Sequence, residues 1–259
     1  MRLERMSWVH VEEYFKHNDL VVLTMGSIEG HGRHNPLGTD SVIPVRLMEM
    51  IEERNGGKYL FAPHIPYGAT DDLTGYPGTI DLGDSVTYGM LLKITESLYE
   101  HGARRFLFLN GHGGNVHLID RLSLMWHRKG VWMCNINWWN LAGELNEAWA
   151  GGHGDFEETA AVLGVDPTLV DKSLLCDQAL KNDVSESLPT VGFDHVQFRN
   201  ARVRFFRDTR AYATNGWVGK LDPAEATEEI GRQMLEAVAD YTAAFLDEFA
   251  KIDLPPVLK

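Results

Sequence analysis

The sequence predicts an α/β fold with a mostly parallel β-sheet and helices on both faces. Three observations predict it. Apolar runs at residues 20–25 (LVVLTM) and 105–109 (RFLFL) read as strands buried on both faces. Helix-like stretches separate the strand candidates, and that alternation favours parallel pairing. Polar clusters recur just after the strands, where open α/β sheets gather their ligands.

The elements follow in chain order. Residues 20–25 are the first core strand, and residues 41–54 a helix with Asp40 or Ser41 near its start. Pro44 falls in the first turn, where it is tolerated. Residues 60–62 are a short strand. A Gly/Pro/Thr-rich loop follows at 64–83, and a loop of that length inside a compact domain is usually functional. Residues 86–100 are helical, capped by Asp84 or Ser85. The strand at 105–109 runs into Asn-Gly-His-Gly-Gly-Asn (110–115) and a helix at 116–128. A further strand covers 131–136, and a helix opens at Phe156 after a polar glycine loop. Arginine alternates with apolar residues over 201–206, as in an edge strand. Residues 223–250 read as one long amphipathic helix covering a sheet face. Residues 184–194 are the best candidate for an insertion or a partner contact. No repeat or linker divides the chain, so residues 1–259 are expected to form one domain.

Bulk properties narrow the function. The chain has 259 residues and a formal net charge of −13. Nucleic-acid binders carry a basic stripe, and none is visible. No apolar run approaches a membrane-spanning length, and the charged first residues do not form a signal peptide, so a cytoplasmic protein is expected. Cys134 and Cys176 are too few for a disulfide framework, and Cys134 reads as a small buried hydrophobe.

The densest chemistry lies between residues 26 and 40, where Glu29, His31, His34 and Asp40 fall within twelve residues. Carboxylate and imidazole donors together suit zinc, manganese or ferrous iron. In extended backbone, Glu29 and His31 point to one side. A carboxylate can bridge two cations, and such a pair can hold a water, lower its pKa and polarise a carbonyl. The plainer reading makes these cap and turn residues; ligation is favoured for the cluster, while His34 reads as solvated. His112 sits between glycines. The loop around it lacks the Lys-Ser/Thr of a phosphate-binding loop and the spacing of a dinucleotide fingerprint, so metal ligation suits it better. His153 is a candidate acid/base or substrate contact. One of Glu157 and Glu158 is expected to be functional, the other a favourable charge in a helix first turn. Asp71 and Asp72 read as a solvated turn, with Asp72 the candidate to line a pocket. Trp132 reads as core. Trp138 and Trp139 are candidate walls for a small ring, or else core or subunit interface.

These residues resemble the creatininase (creatinine amidohydrolase) family. The likeness rests on Gly-Ser-Ile-Glu-Gly-His-Gly and Pro-Leu-Gly-Thr-Asp within 26–40, Pro-Tyr-Gly (66–68), Tyr-Pro-Gly-Thr-Ile (76–80), Asn-Gly-His-Gly-Gly-Asn (110–115) and His-Gly-Asp-Phe-Glu-Glu-Thr-Ala (153–160). The resemblance implies a three-layer α/β/α sandwich, a two-metal site holding zinc with zinc or manganese, and a homo-oligomer, often a hexamer. It assigns Glu29, His31, Asp40 and His112 as ligands, with Asp40 bridging. Glu158 would lie at the second metal and His153 at the substrate. Departures also stand out. Gly114 replaces a glutamate of creatininases, which argues against creatinine as the substrate. Gly30, Arg33 and Asn35 replace the usual Gln, Pro and Leu, and Leu73 replaces a histidine.

The resulting expectation is a metal-dependent hydrolase of a small, polar, cyclic substrate, acting by default on an amide C–N bond. Two rivals are hydrolysis of a carbon–carbon bond in a cyclic diketone of inositol breakdown and a non-catalytic metal or sugar-acid binding protein. Formamide hydrolysis on a nucleotide precursor would want basic residues that the motifs lack. Arg33, Asn35 and Thr70 are read as polar donors near the pocket mouth, which points to an oxygen-rich substrate.

Overall fold

The computed structural model describes residues 1–258 and places a four-stranded, all-parallel sheet at the centre of the chain. The sheet order is β2 (Leu60–Phe61), β1 (Leu20–Met25), β3 (Arg105–Asn110), β4 (Trp132–Asn137). Strands β1 and β3 are buried along their whole length, in keeping with their near-continuous apolar runs.

Alternation along each strand divides the core into two layers. Leu20, Val22, Leu107 and Leu109 pack on one face with α2 (Thr39–Arg54), α5 (Trp138–Leu145), α6 (Phe156–Val165) and α8 (Glu228–Phe249). Val21, Leu23, Phe106 and Phe108 pack on the other with α3 (Gly83–Glu100) and α4 (Val116–Arg128), and with Tyr14 of α1 (Trp8–His17). The result is a three-layer α/β/α sandwich. No helix among the described residues is long and apolar enough to cross a membrane.

Strand order sets the location of the site. The chain leaves β1 toward β2 on one side and pairs β1 with β3 on the other. Crossovers that diverge in this way leave a crevice beyond the carboxyl ends of β1 and β3.

Several boundaries differ from the sequence expectations. Helix α2 begins at Thr39 with Gly38 at its N-cap, so Asp40 lies in the first turn and its side chain is free for other work. Helix α3 begins at Gly83 with no side-chain cap, rather than behind Asp84 or Ser85. The long C-terminal helix is broken: Pro223–Glu225 is a separate 3-10 turn, and Thr227 caps α8 by accepting from the Ile230 N–H. Residues 201–206 do not extend the central sheet. β6 (Ala201–Arg204) pairs antiparallel with β5 (His195–Phe198) in a separate hairpin, followed by the short helix α7 (Thr209–Tyr212). Cys134 and Cys176 are both free thiols.

Candidate metal centre

Three loops meet at the predicted crevice. The segment after β1 supplies Glu29 and His31, the start of α2 supplies Asp40, and the turn after β3 supplies His112. The loop before α6 supplies His153, and the first turn of α6 supplies Glu158. Glycine makes the close approach possible. A Cβ on Gly111 would sit 2.0 Å from the Asp40 carbonyl oxygen, so only glycine lets the end of β3 press against the start of α2.

Asp40 divides the cluster in two. Its Oδ1 lies 2.9 Å from His31 Nε2, and its Oδ2 lies 3.0 Å from His112 Nδ1. Glu29 Oε2 stands 3.1 Å from the same His112 nitrogen, and Glu158 Oε2 stands 3.5 Å from the same His31 nitrogen. Two groups of donors therefore share Asp40: Glu29, Asp40 and His112, and His31, Asp40 and Glu158. A third group brings His153 Nδ1 to 3.9 Å from Glu29 Oε1.

Hydrogen bonds fix which imidazole nitrogens face this cluster. His31 Nδ1 donates to the Glu29 carbonyl at 3.1 Å, and His112 Nε2 donates to the Ala69 carbonyl at 2.7 Å. His153 Nε2 donates to the Gly30 carbonyl at 2.7 Å. A carbonyl only accepts, so each outward nitrogen carries its ring's proton and leaves an inward lone pair in the neutral ring. Lone pairs facing carboxylates repel unless a proton or a cation lies between them. Buried His31 Nε2 has no hydrogen-bond partner, which marks the same need. The donor set thus fits divalent cations on the residues' own geometry.

Supporting groups hold the carboxylates. Ser27 Oγ donates to Asp40 Oδ2 at 2.8 Å, Thr70 Oγ1 donates to Glu29, and the Gly154 N–H donates to Glu158 at 2.6 Å. Burial disfavours a charged His31, but Asp40, Glu158 and Glu29 outweigh it and raise the ring to about 10. Burial likewise opposes charge on His112, and Glu29 and Asp40 lift it well above the ordinary range. His153 moves the other way, to about 4, through burial and the charge of His31. Its inward nitrogen is therefore held neutral. Burial and then Asp40 raise Glu158 to about 8, although His31 opposes them. Glu157 points elsewhere: it accepts from the Gly151 N–H at 3.0 Å, and burial with Glu158 and Asp155 raises it to about 9.

The cluster floors a cavity of about 850 Å³. Trp139 and Asp72 line this cavity, as the sequence reading allowed, and so does Asp71, which it read as part of a solvated turn. Burial, then the charges of Glu29 and Asp194, raise Asp72 to about 6. Three expected substrate contacts lie elsewhere. Arg33 is exposed and outside the lining, because the turn that aims His31 inward carries residue 33 outward. Asn35 donates to Thr159 Oγ1 at 3.0 Å instead. Trp138 is fully buried in the apolar layer with α5 and α8 and does not reach the cavity. His34, expected to be solvated, is 2 % exposed and hydrogen-bonds Thr159 at 2.9 Å. The sequence reading missed Phe193, Asp194, Arg204 and Phe206, which come from the hairpin region and carry no local motif.

The sequence profile of the creatininase family, described as creatinine amidohydrolase, matches residues 4–246. A 3-dehydro-scyllo-inosose hydrolase of Thermotoga maritima is 23% identical over 281 residues, covering 98% of this chain and 86% of that protein. A mycofactocin precursor peptide peptidase of Mycobacterium ulcerans is 31% identical over 159 residues, covering 58% of this chain. That alignment spans only 60% of the relative's own length. The creatinine amidohydrolase of Pseudomonas putida is 26% identical over 195 residues, covering 66% of this chain and 74% of that protein. Among solved structures, one described as "Creatininase Mn" superposes with a TM-score of 0.76 at 23% identity, covering 97% of this chain and 99% of that one. By the match along nearly all its length, this chain belongs to the creatininase family.

Proposed function

We propose that the chain is a dinuclear metal-dependent hydrolase that cleaves an amide C–N bond in a small polar substrate. One observation carries this reading. The two oxygens of Asp40 each face a different imidazole nitrogen, 2.9 and 3.0 Å away, and both rings have their other nitrogen tied to a backbone carbonyl. That arrangement supports a bridging carboxylate between two cation positions, zinc with zinc or manganese, or iron. Glu29 and His112 would complete one position, and His31 and Glu158 the other.

When bound, such a pair supplies an acidic water and polarises the substrate carbonyl. The chain's own residues supply the rest. Asp40, Glu29 and Glu158 would hold the positive charge of the bound ions in place. Their supporting donors, Ser27, Thr70 and the Gly154 N–H, keep the carboxylates aimed without rearrangement. His153 keeps a neutral Nδ1 beside the cluster, positioned to take a proton and pass it to the leaving nitrogen. Trp139 and Leu73 offer apolar wall to the bound scaffold.

A second reading, hydrolysis of a carbon–carbon bond in a cyclic diketone, is favoured by the length of the match to the inosose hydrolase. Turnover by the zinc- or manganese-loaded protein separates the two when lactams, linear amides and cyclic diketones are offered in ¹⁸O-labelled water. Release of amine with label in the new carboxylate supports the amide reading. Turnover of diketones alone replaces it with the second. Inactivity on every member with both metals retained removes both, leaving a binding protein.

A further inference from the structure

The cavity is far more acidic than metal binding requires. Besides the ligands, Asp71, Asp72, Asp84, Asp120 and Asp194 line it, and among the described residues Arg204 is its lone guanidinium or ammonium group. Eight carboxylates against Arg204 and two divalent cations leave a net charge near −3. Such a field repels phosphates and dicarboxylates and concentrates cations.

One of these carboxylates is built for a ligand. Asp194 is 4% exposed, and its Oδ1 is buried without any hydrogen-bond partner. Oδ2 accepts from Arg204 at 3.1 Å. The residue cannot easily turn away. Its backbone sits at φ 60°, its N–H donates to Tyr212 Oη at 3.2 Å, and its carbonyl accepts from the Phe205 N–H at 2.7 Å. A buried carboxylate oxygen held without a donor is costly unless something supplies one. Asp72 lies near enough to Asp194 to feel its charge. Phe193 lines the same cavity and offers an aromatic face, on which a desolvated cation is stabilised.

We propose that the cavity selects a substrate bearing an ammonium or guanidinium group, seated on Asp194 with Asp72 beside it while the scissile bond lies at the metal cluster. Arg204 is a competitor for Asp194, not an anion receptor: its side chain is 63% exposed and its charge is spent on Oδ2. The inference rests on the reading of this cavity as the hydrolase's substrate site. Its test reads binding separately from turnover.

Three matched amides serve as probes for calorimetry on the zinc-loaded protein: γ-aminobutyramide, valeramide and succinamate. The expected order is ammonium tightest and carboxylate weakest, with at least about tenfold between the ammonium and its neutral isostere. Asp194→Asn, with metal content unchanged, should reduce that ratio to about one, and Asp72→Asn should reduce it in part. Arg204→Gln, at an exposed position, keeps the test open if Asp194→Asn fails to fold. It frees Oδ2 and should tighten the ammonium probe several-fold. The proposal is overturned if the neutral or anionic amide binds as tightly as the ammonium. It is equally overturned if the ammonium probe does not bind at millimolar concentration, or if Arg204→Gln weakens succinamate and leaves the ammonium probe alone. Binding of the ammonium probe without turnover of any amide would leave the cation preference standing and remove the amide-bond reading.

Discussion

At the scale of single residues, the site depends on which atom of each side chain faces inward. Glu29, His31, Asp40 and His112 were nameable from the sequence because they crowd into short glycine-rich motifs after strands, whereas Glu158 was told from Glu157 only by the family resemblance. The resemblance already implied Asp40 between two positions with Glu158 at the second, but which nitrogen of each ring faces the cluster follows only from hydrogen bonds to the Glu29 and Ala69 carbonyls. Arg33 shows the opposite limit. Its closeness to His31 in sequence pointed to the cavity, yet a turn separates neighbours as readily as it joins them, and the guanidinium is exposed. Asp194 and Arg204 had no motif, and only the fold brings them to the cavity. His153→Ala should retain both metals and lose about two to four orders of magnitude in kcat, the usual cost of removing a positioned acid/base. Loss of metal in that variant would make His153 a ligand instead.

His64 gives a pH signature outside the cluster and the cavity lining. Its Nδ1 hydrogen-bonds Thr24 at 3.0 Å, its Nε2 has no partner, and burial lowers the ring to about 4 from an ordinary 6.5. Between those values the unfolded chain binds a proton that the folded chain refuses. The stabilisation is thus complete above pH 6.5 and is lost as pH falls toward 4. His64→Leu should flatten the stability profile across that window by up to about 3 kcal/mol relative to the parent. Parallel urea-unfolding profiles for the two proteins would show that the histidine's environment is not apolar.

At the scale of elements, the sequence marked all four strands of the central sheet and the helices α2, α3, α4, α6 and α8, but left α1 and α5 unassigned. Helix α1 buries only Tyr14, and α5 follows β4 without a break, so no turn signal separates α5 from the strand. Of residues 201–206, the first four formed a strand, and the alternating arginines suited it. What they could not reveal was its partner, because pairing is a tertiary choice. Helices α6 and α8 illustrate a contact that sequence hides entirely. A Cβ on Gly231 would lie 1.7 Å from the Ala160 carbonyl oxygen, while one on Gly89 in α3 would meet nothing within 4 Å. Gly231→Ala should therefore lower the unfolding free energy by about 2 kcal/mol or more, despite alanine's better helix propensity. Gly89→Ala should be neutral or stabilising by about 0.5 kcal/mol. Equal effects of the two in denaturant titrations would mean that the helices can separate freely.

At the scale of the whole molecule, the sheet order β2-β1-β3-β4 collects segments distant in sequence at one edge. This convergence was readable in outline, because motifs followed strands. The cavity's upper wall was not, because it comes from the separate β5–β6 hairpin. That hairpin also exposes Phe198 and Phe206, at 50% and 56%, with Val203 and Phe205 nearby. An apolar surface of this kind is suited to a second copy of the chain. Sedimentation at micromolar concentration should show a homo-oligomer, and Phe198→Glu should weaken it. A parent protein that sediments only as a monomer would contradict that expectation.

The central claim is that Asp40 bridges two cations, and a metal count per chain addresses it most directly. Elemental analysis of the zinc- or manganese-loaded parent should give two ions per chain. Asp40→Ala should lose occupancy at both positions together, while Glu29→Gln and His112→Ala should deplete one position more than the other. A parent that binds a single ion, or an Asp40→Ala variant that keeps both, would contradict the account.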